Sequence, residues 1–192
     1  MTPMQKIISL FKRNYDGDRR VTDEVVPGAE WVLAGEGVAT QKLDGTCCMI
    51  RDGKLYKRHE LKKGRTFPPL FEPAQEPDPV TGDVPGWLPV GDGPEDKWHR
   101  EAFTASLHPM PREDGTYELI GPKINGNPER WPVSHVLIRH GYFKLLGADA
   151  PRTRTWTAIR HWFKENDAEG IVWHHPDGRM VKIKGKDFGL RR

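Results

Sequence analysis

Five short stretches of this chain carry side chains suited to work at an anionic centre. They are Thr40-Gln41-Lys42-Leu43-Asp44-Gly45, Arg58, Glu118, Glu169-Gly170 and Lys182-Ile183-Lys184. A free lysine has a pKa of about 10.4 and is protonated at neutral pH, so it attacks nothing until its amine loses that proton. Neighbouring cations and partial desolvation lower a lysine pKa. Residues two apart on a strand share one face, so Lys182 and Lys184 form such a cationic pair. Beside apolar Val181 and Ile183, they are unusual unless an anion lies over them, although on a solvated edge strand they would be unremarkable. Lys-x-Asp-Gly taken alone also fits an ordinary turn with a solvated lysine, because Asp and Gly are common turn residues.

The elements that must position these residues follow from turn signals and periodicity. Asp52-Gly53 suits a two-residue type I′ turn, whose central residues both need positive φ. That predicts a hairpin with strands over 46–51 and 54–60, and places Lys42 just before its first strand. Asp177-Gly178 predicts a second hairpin, from Gly170-Ile171-Val172-Trp173 to Met180–Lys184, with Glu169 at its entry. Between them, 116–121 and 136–138 read as strands, the first carrying Glu118, and 97–105 reads as a short helix. Trp156, Ile159, Trp162 and Phe163 recur at helical spacing within 152–166, a core-facing stripe that Thr153 or Thr155 can cap. Residues 4–12 form a short apolar segment, strand or helix end. Val25–Gly28 reads as a turn, and Trp31–Gly35 as a strand with Trp31 in the core. His174 and His175 are neighbours on a strand end and point apart, which disfavours a two-histidine metal site.

Residues 66–96 hold eight prolines and four glycines. Proline removes ladder donors and fixes φ, so the stretch reads as an extended loop excursion rather than a helix or central strand. Loops of that length are usually functional or disordered, and Phe67, Phe71, Trp87 and Leu88 favour one pinned to the body.

The chain has 192 residues, 30% of them charged, with a net charge of +3. That suits one domain, since two would be marginal, and the slight basic excess by itself indicates no nucleic-acid binding. Cys47 and Cys48 are the only cysteines. Adjacent strand residues point to opposite faces, so neither a disulfide nor a cysteine-based zinc site follows, and a reducing cytoplasm is expected. Apolar runs are too short to span a bilayer, and Met1-Thr2-Pro3-Met4 begins no signal peptide.

In order, these motifs resemble the covalent nucleotidyltransferase superfamily of ATP-dependent ligases and mRNA capping enzymes, and most nearly RNA ligases of the phage single-strand type. The resemblance covers about 36–187. It implies an α+β nucleotidyltransferase domain (ATP-grasp-like ligase) of mainly antiparallel sheets flanked by helices, spanning 1–192 without an OB or helical C-terminal domain. It implies ATP and Mg2+ (or Mn2+) as cofactors and RNA bearing a 5′-phosphate and a 3′-hydroxyl as substrate. A monomer acting in RNA repair in a bacterial or phage-infected cell is expected, with no membrane association; a repair partner protein is the further option. Lys42 would form a lysyl-AMP, with Lys182 and Lys184 assisting it and neutralising phosphate charge. Glu169 would hold the metal. Thr40, Gln41, Asp44, Gly45, Arg58 and Glu118 would line the nucleotide, with Val172 packing on the adenine. Ile138 stands where the family places a base-stacking aromatic, and Cys47 where ligases and capping enzymes of DNA and mRNA carry an arginine. A capping-type guanylyltransferase, another nucleotidyltransferase and a reduced module that only binds nucleotide or RNA are the alternatives. A regular turn at Asp177-Gly178 would put Lys182 and Lys184 on the face of Ile171, opposite Val172. If both roles hold, a bulge is required in this hairpin.

Overall fold

The computed structural model describes residues 4–105 and 113–192, so Met1-Thr2-Pro3 lies outside the described residues. Strands β1 (Ile8–Ser9), β2 (Phe11–Arg13) and β3 (Val21–Val25) are followed by helix α1 (Glu30–Leu33) and strands β4 (Val38–Lys42), β5 (Thr46–Arg51), β6 (Lys54–Leu61), β7 (Glu72–Pro73) and β8 (Val84–Pro89). Helix α2 (Lys97–Thr104), strands β9 (Gly115–Ile120) and β10 (Val136–Arg139), helix α3 (Trp156–Glu165) and strands β11 (Gly170–His174) and β12 (Met180–Lys184) complete the order. The mixed α+β composition with mostly antiparallel pairing agrees with expectation. A single domain was expected; the chain divides into two compact units, one of Ile7–Leu43 with Gly141–Arg192, the other of Asp44–His140 with residues 4–6.

The first unit holds a four-stranded sheet in the order β1-β12-β11-β4, and β2 pairs with β3 as a separate ribbon. Alternation along the sheet gives it one greasy face. Ile171, Trp173, Val181 and Ile183 have no exposed surface and join Ile159, Trp162 and Phe163 of α3 in one core. Burying each such side chain contributes about 1.5–3 kcal/mol. Helix α3 begins where expected, with the Thr155 hydroxyl accepting from the Ala158 N–H, which satisfies one of the orphan donors of its first turn.

The expected strand over Trp31–Gly35 is instead the single-turn helix α1, although Trp31 is in the core as expected. A short apolar run fits either element. Here Gly28 turns the chain in at φ +91° and Gly35 turns it out at φ +88°, the left-handed termination typical of a helix end.

The second unit is a six-stranded antiparallel sheet in the order β10-β9-β5-β6-β8-β7. The β5–β6 hairpin turns at Asp52 (φ 51°) and Gly53 (φ 69°), with Arg51 paired to Lys54, as the Asp-Gly signal predicts. One face packs Cys48, Ile50, Leu55, Tyr117, Leu119 and Leu137 with Ala102 of α2. The opposite face gathers Met49, Tyr56, Ala74 and Trp87 with Cys47.

The excursion expected over 66–96 contains β8, an interior strand paired with β6 on one side and β7 on the other. Its prolines are tolerated because of parity. The Pro85 carbonyl accepts from the Ala74 N–H on the β7 side. Residues 85 and 89 therefore turn their nitrogens away from β6, where no ladder donor is missed.

Candidate active site

In the first unit, Lys42 is the last residue of β4 and lies directly across from Gly170 of β11. The sequence placed it just before the 46–51 strand; it instead closes a strand of the other sheet, four residues earlier. Gly170 has room for no side chain, since a Cβ there would stand 2.5 Å from the Ile183 carbonyl oxygen and 3.3 Å from Lys42 Cδ.

The register of the second hairpin decides what joins Lys42. Gly170 pairs with Lys184 and Val172 with Lys182, so both lysines share the face of Val172 and Lys42, opposite Ile171. The expected bulge is absent from the paired strands. The one-residue offset is taken up in the turn, where Gly178 N–H donates to His175 O, Gly178 takes φ +93° and His175 N–H donates to Arg179 O. That is a three-residue connection with glycine in the left-handed position.

On this face Glu169 binds two ammonium groups. Lys42 Nζ donates to Oε2 at 2.6 Å and Lys184 Nζ pairs with Oε1 at 2.7 Å. The side chains of Lys42, Glu169 and Lys184 are only 21%, 13% and 20% exposed. Burial pushes the Glu169 carboxyl up, but the charges and hydrogen bonds of Lys42 and Lys184 outweigh it and hold it below its ordinary value. Glu169 was expected as a metal anchor, and its hard carboxylate oxygens suit Mg2+ or Mn2+, although both now serve the lysines. Beside the cluster, the Thr40 hydroxyl donates to Val172 O at 3.1 Å and meets His174 Nε2 at 3.0 Å. Gln41 N–H donates to Phe143 O at 2.8 Å.

Asp187 escaped the sequence reading. Its carboxylate accepts from the Lys184 N–H at 2.9 Å, pairs with Arg13 and is 5% exposed. It pins the backbone that carries Lys184. The signal was present, an acid three residues beyond the start of a helical turn.

In the second unit, a Cβ on Gly45 would fall 2.2 Å from Leu119 O, so only glycine fits. Its N–H donates to Glu118 Oε1 at 3.1 Å, and its carbonyl accepts from Asn125 at 2.9 Å. Asp44 accepts from the same Asn125 amide at 3.2 Å, and its N–H donates to Glu129 at 2.8 Å. Glu118 Oε2 lies 2.8 Å from His140 Nε2, whose Nδ1 lies 2.9 Å from Thr116 Oγ1. Ile138, paired with Glu118, is buried. Arg58 donates to Met4 O at 2.6 Å and lies over Trp87, 4.9 Å from the ring centroid, and burial lowers its pKa. Asn125, Glu129 and His140 were not anticipated. His140 was readable from strand parity, two residues beyond Ile138.

The structure thus gathers Lys42, Glu169, Lys182, Lys184, Thr40 and Val172 about one face of the first unit. Asp44, Gly45, Arg58, Glu118 and Ile138 belong to the second. A mixed α+β fold with a lysine–carboxylate–lysine cluster accords with the class expected from the sequence, an RNA ligase catalytic domain, and the comparisons with known proteins support it. Residues 107–192 match the family model for RNA ligase 1. The chain is 27% identical to "RNA ligase 1" of Pongo abelii over 228 aligned residues, covering 80% of this chain and 67% of that protein. It is 28% identical to "RNA ligase 1" of Mus musculus over 223, with the same coverage. With "RNA ligase 1" of Danio rerio it shares 28% over 245, covering 88% and 73%. Among the described residues no helix is long and apolar enough to cross a membrane.

Proposed function

We propose that this protein is an ATP-dependent RNA ligase that works through Lys42. The observation that carries the reading is the Lys42–Glu169–Lys184 cluster, three part-buried charges on one sheet face with a cationic surplus. Lys42 Nζ attacks the α-phosphorus of ATP, forming an N–P bond as the bond to the leaving pyrophosphate breaks. An oxygen of an RNA 5′-phosphate then displaces the lysine and takes the AMP. Finally a 3′-hydroxyl attacks that 5′-phosphate, AMP leaves and a phosphodiester is closed.

A carboxylate at 2.6 Å favours a charged amine, so attack requires Lys42 to shed its proton and its bond to Glu169. Lys184 and Lys182, on the same face, supply fixed positive charge for the phosphate as charge moves to the leaving group. Glu169 is the residue that would hold Mg2+ or Mn2+, and the ion would supply charge neutralisation on the triphosphate. The nucleotide contacts expected from the sequence are, in the first unit, Val172, Thr40 and Gln41, although Gln41 pairs with Ile171 and so lies off the lysine face; in the second unit they are Asp44, Gly45, Glu118, Arg58 and Ile138. The substrate is RNA with 5′-phosphate and 3′-hydroxyl ends, and the protein acts as a cytoplasmic monomer in RNA repair.

The test is incubation with ATP or GTP and divalent metal, followed by peptide mass mapping. A one-AMP increment on the Lys42 peptide, lost in Lys42→Ala, is expected. A GMP increment instead would make it a capping-type guanylyltransferase, and no adduct from either triphosphate would overturn the reading.

A further inference from the structure

Within the six-stranded sheet, three unlike donor side chains meet on one face. Cys47 of β5 is the direct cross-strand partner of Glu118 of β9, and Glu118 in turn faces Ile138 of β10. His140 stands two residues beyond Ile138, and its N–H donates to Thr116 O, carrying the ladder one step further. Cross-strand partners and their diagonal neighbours project from the same face. A thiol, a carboxylate and an imidazole therefore converge, with one ligand atom of each within 4.8 Å of the others. All three side chains are half-buried or nearly buried, neither sealed in the core nor fully solvated.

We propose that Cys47, Glu118 and His140 form a binding site for a borderline-soft divalent cation of the Zn2+ class, with three protein ligands and an open fourth position. The donor set excludes Mg2+ and Ca2+, which take oxygen ligands. Thiolate with imidazole selects the zinc-like metals, and three ligands with one free position is the arrangement of reactive rather than structural zinc.

The surrounding bonds orient this set as metal ligands require. His140 Nδ1 is engaged by Thr116 Oγ1 at 2.9 Å, which leaves Nε2 for the metal. Glu118 Oε1 is held by the Gly45 N–H at 3.1 Å, and Oε2 lies 2.8 Å from His140 Nε2. That last spacing is a hydrogen bond, which the cation would replace. Binding forms metal–sulfur, metal–nitrogen and metal–oxygen bonds, while the thiol proton leaves to solvent and the imidazole binds neutral, its one ring proton on Nδ1 toward Thr116 Oγ1. Arg58 extends the same row, beside Cys47 when the β5–β6 register is carried on by one residue. Cys48 cannot substitute, because it is fully buried on the other face and burial pushes its thiol up.

Binding is measured on the folded full chain without nucleotide, using Co2+ as the spectroscopic probe and Zn2+ as competitor. One equivalent of Co2+ should produce a thiolate-to-metal charge-transfer band that Zn2+ displaces. Cys47→Ser should abolish the band and weaken Zn2+ binding at least about tenfold, and Thr116→Val should weaken it by about tenfold through the lost orientation of His140. Lys42→Ala should leave the band intact, so failure of this site and failure of the ligase reading are separable. A Co2+ complex without the thiolate band, or equal Zn2+ affinity in Cys47→Ser, overturns the proposal. Should Cys47→Ser not fold, alkylation of the unmodified protein decides. Zn2+ must slow labelling of the Cys47 peptide, and unchanged labelling refutes the site.

Discussion

Lys184→Met takes one of its two ammonium partners from Glu169 and leaves the carboxylate with Lys42 alone. The bond is 2.7 Å long, between side chains 20% and 13% exposed. At that distance and an effective dielectric of about 20, the bare attraction is about 6 kcal/mol. Desolvation and side-chain ordering offset most of it, and hydrogen bonds to charged groups contribute about 1.5–3 kcal/mol net. A loss of about 2 kcal/mol is expected at neutral pH, a fall in Tm of about 4–8 °C for a chain of this size. The pH dependence makes the test specific. Because the two lysines outweigh burial and depress the Glu169 carboxyl, its stabilisation is complete above the unfolded value of about 4.3 and is lost as pH falls through the lower folded value. The difference between parent and variant must therefore be full at pH 7 and vanish in acid, once Glu169 is protonated in both. Urea unfolding followed by circular dichroism across pH 3 to 7 measures this. A deficit independent of pH, or none at neutrality, refutes the ion-pair account.

Other substitutions probe the positioning of the site. Gly170→Ala sets a Cβ 2.5 Å from Ile183 O and 3.3 Å from Lys42 Cδ, so it should cost about 1–3 kcal/mol in thermal unfolding and slow adduct formation on Lys42. Gly45→Ala meets Leu119 O at 2.2 Å, with a similar cost and weakened nucleotide binding in a titration with ATP. Thr155→Ala removes the cap that accepts from Ala158 and should cost about 1 kcal/mol, with no change in the rate of adduct formation.

What was legible in the sequence was whatever neighbouring residues decide. The β5–β6 hairpin came from Asp52-Gly53, and α3 from a stripe at helical spacing and a threonine cap. The membership of Lys42 in a sheet did not, because its partner Gly170 is remote in sequence and glycine shows no pattern. Strand β8 was hidden by Pro85 and Pro89, whose harmlessness depends on which way each nitrogen points, a property of the pairing rather than of the residues.

The lysine face shows where local pattern stops. Along β12, buried Val181 and Ile183 alternate with Lys182 and Lys184, so those lysines must leave the core whatever the partner strand does. Along β11, Ile171, Val172 and Trp173 are all apolar and all buried, and either parity satisfies them. The choice falls to the connection, where left-handed Gly178 shifts the register by one residue and sets Lys182 against Val172. With a regular two-residue turn at Asp177-Gly178 both lysines would share the face of Ile171 and Trp173, opposite Val172. The alignment of the three lysines is thus imposed by turn geometry acting on an otherwise indifferent strand.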